Sequence, residues 1–157
     1  MNIQLKTNHI EIIKNHAQIT YPDECCGLIL GYKNNEYKTV VEIIPTENVW
    51  NTQKGNFTEN PEEYSTSRRY AIAPQVMLQT QKEARNRNLN IIGIYHSHPN
   101  YPAIPSEWDR IYAWPEYSYV ILSVQNTQAG ELQSWTLDDH HQFQAETIEL
   151  IKLSTLS

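Results

Sequence analysis

His96 and His98 sit one residue apart at the end of the apolar run Ile91-Ile92-Gly93-Ile94-Tyr95. Such a run reads as a strand covered on both faces. Side chains two apart on a strand point the same way, so both imidazoles can aim at one point with no distortion of the backbone. Zinc accepts imidazole nitrogen and carboxylate oxygen, and a catalytic zinc takes three protein ligands and keeps a fourth position open. Asp109, eleven residues beyond His98, can supply the third. It falls in the first turn of a helix expected from Ser106, and the proline-punctuated loop over residues 100–105 can fold that turn back over the strand end. A proton acceptor is then needed. Glu24 stands just before the apolar stretch Cys26–Leu30, where partial burial would raise its pKa toward neutrality. Each piece also has a plainer reading: histidines on a strand face as polar surface or hydrogen-bonded core, Ser106-Glu107-Trp108-Asp109 as a helix capping box, and Glu24 as a solvated carboxylate in the Pro22-Asp23-Glu24 turn.

In their order and spacing these pieces resemble the JAMM (MPN+, JAB-type) metalloproteases. That family's pattern is a glutamate upstream, then H-[ST]-H-P, seven residues from the second histidine to a serine, and two more to an aspartate. Here Glu24 lies in Glu24-Cys25-Cys26-Gly27, His96-Ser97-His98-Pro99 follows, Pro99 to Pro105 are the seven, and Ser106 and Asp109 close the motif. The similarity also runs through residues 27–31 (GLILG), 73–75 (APQ), 93–99 (GIYHSHP) and 105–109 (PSEWD). The resemblance implies zinc held by His96, His98 and Asp109. It implies Glu24 as general acid and base, and Ser106 as a hydrogen-bond donor to the oxyanion of an amide or isopeptide under hydrolysis. It also implies a structural role near the metal for Cys26, and a curved mixed β-sheet flanked by helices, of the cytidine deaminase-like JAB/MPN kind.

The chain reads as the domain alone, over residues 1–157, and so as a stand-alone form. Short prokaryotic relatives of that kind imply a ubiquitin-like or sulfur-carrier protein as substrate, cleaved at its C-terminal tail, with residues 47–69 clamping the tail as an added strand. The alternative is a non-catalytic zinc-containing protein-binding module, which would have no use for Glu24. A deaminase needs P-C-x-x-C, and Cys25 and Cys26 are not so spaced.

The elements that must position these residues follow from periodicity and breakers. Helical spacing of Ile10, Ile13 and Ala17 predicts a helix over residues 8–19 with Asn8 as its cap, ended by Tyr21-Pro22. Strands are expected over residues 27–31 and 37–45, joined at Asn34-Asn35. Residues 47–69 read as a long surface loop, and Pro74 opens a second helix that stops over residues 86–90. After the histidine strand come a helix to about Ala113, strands over 117–124 and 131–137 with a turn around Ala129-Gly130, and an edge strand over 141–150, with a frayed end beyond. The class is α/β or α+β with a mixed sheet.

The chain has 157 residues, 39% hydrophobic and 19% charged, enough for a buried core without disulfides. A formal net charge of -6 argues against a nucleic-acid partner, which needs clustered cations. No apolar run approaches membrane-spanning length and no signal-type segment is visible, so a cytoplasmic, membrane-independent protein is expected. Cys25 and Cys26, being adjacent, are poorly placed for an ordinary disulfide and read as packing residues rather than nucleophiles. His140 and His141, after Asp138-Asp139, read as a solvated turn. Trp50, Trp108, Trp114 and Trp135 read as core or rim, with Trp108 able to touch substrate. Oligomeric state is left open.

Overall fold

The computed structural model describes residues 1–53 and 65–152. In chain order the elements are β1 (Asn2–Lys6), α1 (Thr7–Thr20), β2 (Cys26–Lys33), β3 (Tyr37–Thr46), α2 (Trp50–Gln53), α3 (Pro74–Asn86), β4 (Asn90–Pro99), α4 (Glu107–Ile111), β5 (Ser118–Gln125), β6 (Gln128–Leu137) and β7 (Phe143–Ile151). The strands run β1-β3-β2-β4-β5-β6-β7, and β7 pairs with β1 to close the sheet into a barrel. Pairing is parallel at β1–β3, β1–β7 and β4–β5, and antiparallel elsewhere. The expected mixed α+β class is what the structure has.

Two features depart from expectation at the closure. β1 is a strand that periodicity does not announce, because only Ile3 and Leu5 of its five residues are apolar. It lies between β3 and β7, so the C-terminal strand is no edge: it has partners on both sides. β1 also runs straight into α1, which moves the helix start back. Lys6 is the N-cap and Asn8 lies inside the first turn, with the His9 Nδ1 accepting from the Lys6 N–H at 3.1 Å. The hairpin turn between β5 and β6 is Asn126-Thr127, both at positive φ as a two-residue turn requires, while Ala129 and Gly130 are already in β6. α4 stops at Ile111, before Pro115, which cannot continue a helix.

Apolar clusters cover both faces of the central strands. Ile13 and Ala17 of α1 pack with Ile3, Leu5, Ile29, Tyr95 and Val120 on one side. Leu28, Ile94 and Tyr119 pack with Tyr70, Ile72 and Met77 on the other. β4 is therefore buried on both faces, as its continuous apolar run requires. Gly93 permits the close β4–β5 pairing, since a Cβ there would come within 2.5 Å of the Ser118 carbonyl oxygen.

Residues 47–69 are not simply a surface loop. Trp50 is fully buried, and the Asn48 side chain donates to the carbonyls of Glu24 and Arg69. The middle of the proposed clamp, residues 54–64, and the end of the expected frayed tail, residues 153–157, lie outside the described residues.

Candidate functional site

β4 carries Ile94, His96 and His98 on one face, and Tyr95 and Ser97 on the other. Tyr95 turns toward α1, where its hydroxyl meets the His16 Nδ1 at 2.8 Å, and the Ser97 Oγ accepts from the Cys25 N–H at 2.8 Å. Each histidine is thus aimed by its strand position. Aromatic rings then hold the imidazoles in orientation: Tyr70 stacks on His96 with centroids 4.5 Å apart, and Tyr101 on His98 at 4.0 Å.

The loop between β4 and α4 is tied down at four consecutive residues, 100–103. Asn100, at φ 65°, donates its N–H to the Val124 carbonyl, the Tyr101 carbonyl accepts from the Ser123 hydroxyl, and the Ala103 carbonyl accepts from the Trp135 indole. The Pro102 carbonyl lies 2.7 Å from the His98 Nδ1. A carbonyl only accepts, so Nδ1 carries the proton and Nε2 turns its lone pair into the site.

That loop brings Asp109 over the strand end. Its Oδ1 lies 3.3 Å from the His96 Nε2 and its Oδ2 lies 3.2 Å from the His98 Nε2, while the two Nε2 atoms are 3.0 Å apart. All three side chains are buried. Among the described residues, His96, His98 and Asp109 form a group that could hold a metal ion. The capping box expected of Ser106 and Asp109 is present too. The Ser106 Oγ accepts from the Asp109 N–H at 3.0 Å and the Asp109 Oδ2 accepts from the Ser106 N–H at 2.9 Å. The two roles coexist because a carboxylate has two oxygens with about four acceptor directions.

Glu24 precedes β2 by two residues, and Cys26 pairs with His96 across the sheet, which puts the carboxyl beside the histidines. It is only 1% exposed rather than partly buried. Burial pushes its pKa up to about 8, against the pull of His96 and of the Tyr101 hydroxyl, which donates to the Glu24 Oε2 at 2.6 Å. Loss of water lowers the His98 pKa. At His96 the same loss is outweighed by Asp109 and Glu24, and the pKa rises. Burial would raise Asp109, yet the two histidines hold its carboxyl well below the usual range.

The cysteines are buried and their thiols are pushed up to about 12 by loss of water, which leaves little thiolate at neutral pH. The Cys26 Sγ rests near the Thr46 Oγ1 at 3.5 Å. His141 lies in the expected turn and its Nε2 meets the Arg110 carbonyl, away from the cluster. Sequence reasoning did not single out Tyr70, Tyr101, Arg68 or Arg69. Tyr101 could have been found from its place in the loop just after His98. The arginines lie over aromatic rings, Arg68 over Tyr101 at 5.3 Å and Arg69 over Trp108 at 4.8 Å.

With this geometry in view, the profile of the prokaryotic homologs of the JAB domain matches residues 6–138. The chain belongs to that family. The matched stretch contains Glu24, His96, His98, Ser106 and Asp109, and leaves outside it most of β1, all of β7 and the end of the chain. A desampylase of Pyrococcus furiosus is 30% identical over 118 residues, 74% of this chain and 68% of that protein. A desampylase of Haloferax volcanii is 29% identical over 119 residues, 75% of this chain and 73% of that protein. The solution structure of a Desulfitobacterium hafniense protein superposes with a TM-score of 0.77 at 24% identity, covering 98% of this chain and 95% of its own, which shows a shared fold. Among the described residues, no helix is long and apolar enough to cross a membrane.

Proposed function

We propose that this member of the JAB family is a zinc-dependent hydrolase of the JAMM type, which cleaves an amide or isopeptide bond at the C-terminal tail of a small ubiquitin-like or sulfur-carrier protein. The observation that carries the reading is the meeting of three buried side chains, two imidazole nitrogens 3.0 Å apart with one carboxylate oxygen 3.2 or 3.3 Å from each, beside a buried carboxyl. Donors bonded to zinc at 2.0–2.1 Å in a tetrahedron are about 3.3 Å from one another, so His96, His98 and Asp109 fit that ion closely. When bound, zinc supplies an electrophilic centre that acidifies water and polarises a carbonyl.

The chain's own residues do the rest. Glu24 takes a proton from the attacking water and passes it to the leaving amine nitrogen as the carbon–nitrogen bond breaks and the new carbon–oxygen bond forms. A carboxyl held near neutrality by burial suits both halves of that transfer. Tyr101 keeps Glu24 turned toward the cluster through its 2.6 Å hydrogen bond. Ser106, placed by its cap, offers a hydroxyl to the carbonyl oxygen as charge develops there. A module that merely stored a metal would not need a carboxyl buried at such cost beside it.

The name desampylase carried by two relatives supports a ubiquitin-like protein conjugate as the substrate class. The test is cleavage of carrier-tail fusions by the zinc-loaded chain, with Glu24→Gln as the comparison. Cleavage by the native chain, and its loss by at least about 100-fold in a variant that still binds one zinc, is the expected result. Fusions left intact by the loaded chain, or a Glu24→Gln variant as active as the native one, would overturn the reading.

A further inference from the structure

A cavity of about 170 Å³ opens against the far side of the donor cluster, and none of the chemistry above uses it. Its walls include Tyr70, Ile72, Met77, Ile94, Trp108 and Trp114. It is continuous with the site in two ways: Asp109 lines it while facing both histidines, and Tyr70 lines it while stacking on His96. Large apolar groups stand open to solvent at its edge, with Trp114 63% and Tyr112 44% exposed. Aromatic surface left in water beside a cleft marks a place where apolar ligand surface is to be covered. The volume sets the size of that ligand, since an apolar cavity of about 150 Å³ admits a benzene ring.

We infer that this cavity is the subsite for one substrate side chain next to the cleaved bond, and that the side chain is aromatic or branched aliphatic. The inference rests on the proposed function and says which residue enters. In test fusions whose carrier part ends in Gly-Gly the residue before the cleaved amide has no side chain, so only the residue on the leaving-amine side can fill the cavity. The enzyme then selects its substrate by the residue it releases, and favours a bulky apolar one over glycine or a charged residue. The lining has no cationic side chain to pair an anion, and its carboxylate, Asp109, is already engaged by the Ser106 N–H and faces both histidines.

Two measurements test this. The first is kcat/KM of the zinc-loaded chain on carrier fusions ending Gly-Gly-Phe, Gly-Gly-Leu, Gly-Gly-Gly and Gly-Gly-Asp. Burial of a whole apolar side chain predicts that Phe and Leu exceed Gly and Asp by about 10- to 100-fold. Met77→Trp, which fills the cavity from α3, should bring the Phe-to-Gly ratio close to one. The second needs no turnover or metal: N-acetylphenylalanine amide, titrated into the metal-free chain, should shift the indole N–H resonances of Trp108 and Trp114 saturably, and should fail to do so in Met77→Trp of native circular dichroism. Equal rates on the Phe and Gly fusions, or indoles that ignore the amide, would overturn the subsite and leave the hydrolase standing. No cleavage of any fusion would remove the hydrolase reading and this inference with it.

Discussion

Replacing Glu24 by glutamine in the metal-free chain should raise stability, and only toward neutral and alkaline pH. The carboxyl is 1% exposed and is pushed up to about 8, chiefly by loss of water. Unfolding returns it to its ordinary value of 4.5. Between those values the folded chain holds a proton that the unfolded chain has released. Stability therefore falls as pH rises through that window, and the loss is complete above the folded value. Each unit of pKa difference is worth about 1.4 kcal/mol, which makes the whole loss on the order of 5 kcal/mol. Glutamine keeps the shape and an oxygen for the Tyr101 hydroxyl but cannot ionise, so it escapes the loss. The assay is urea unfolding of the chelator-treated native and Glu24→Gln chains across this range. Their stabilities should agree within about 1 kcal/mol near pH 4.5 and part by about 3–5 kcal/mol near pH 8.5, with the variant the more stable. His98 and Asp109 titrate in both proteins, and the Glu24 charge also raises the His96 pKa, so the difference between the two curves reports the ionisation of Glu24 together with its pull on His96. A difference that stays flat with pH would refute the claim that burial governs this carboxyl.

Tyr101→Phe removes the hydrogen bond from the Tyr101 hydroxyl to the Glu24 carboxyl and leaves the ring on His98 in place, so kcat on a carrier fusion should fall about tenfold with KM little changed; a rise in KM alone would show that Tyr101 binds substrate instead. Gly93→Ala sets a methyl group against the Ser118 carbonyl at 2.5 Å, a backbone atom that cannot swing away, and should lower stability by about 2–4 kcal/mol in thermal unfolding; an unchanged melting temperature would mean that β4 and β5 can part without cost.

The donor cluster was legible in the sequence through the order and spacing of a family-like motif, with local geometry showing that the pieces could meet. Strand period aims His96 and His98 together and a helix cap sets the direction of Asp109, while the order and spacing of the JAMM-like motif joined the pieces; the ties of the intervening loop to Val124, Ser123 and Trp135 were not visible. The two central apolar runs likewise declared themselves as covered strands. The closure of the barrel was not legible, because β1 has two apolar residues and acquires its strand character from pairing with β3 and β7, far away in the chain. The depth of Glu24 was hidden for the same reason. The segments that enclose it belong to a stretch poor in aliphatics: its N–H donates to the Thr66 carbonyl and its carbonyl accepts from Asn48. Polar composition there marked hydrogen bonding to the site's own backbone, which looks the same in a sequence as solvent exposure. Tyr101 was missed because its partner, Glu24, lies 77 residues earlier.

The capping box explains how one carboxylate can be both a structural and a chemical part. The Asp109 side chain is fixed by the Ser106 N–H on Oδ2, and its backbone N–H is fixed by the Ser106 hydroxyl, so its direction is set by the first turn of α4 before anything binds. His96 and His98 are fixed by β4 and by stacked rings. None of the three donors has to be gathered from a mobile ensemble, and the ordering cost of assembling a site falls on folding rather than on binding. The consequence is a tension that the sequence already contains. Two imidazole nitrogens and a carboxylate held 3.0 to 3.3 Å apart are poorly solvated and mutually crowded unless a proton or a cation lies between them. A cation placed among them relieves that crowding.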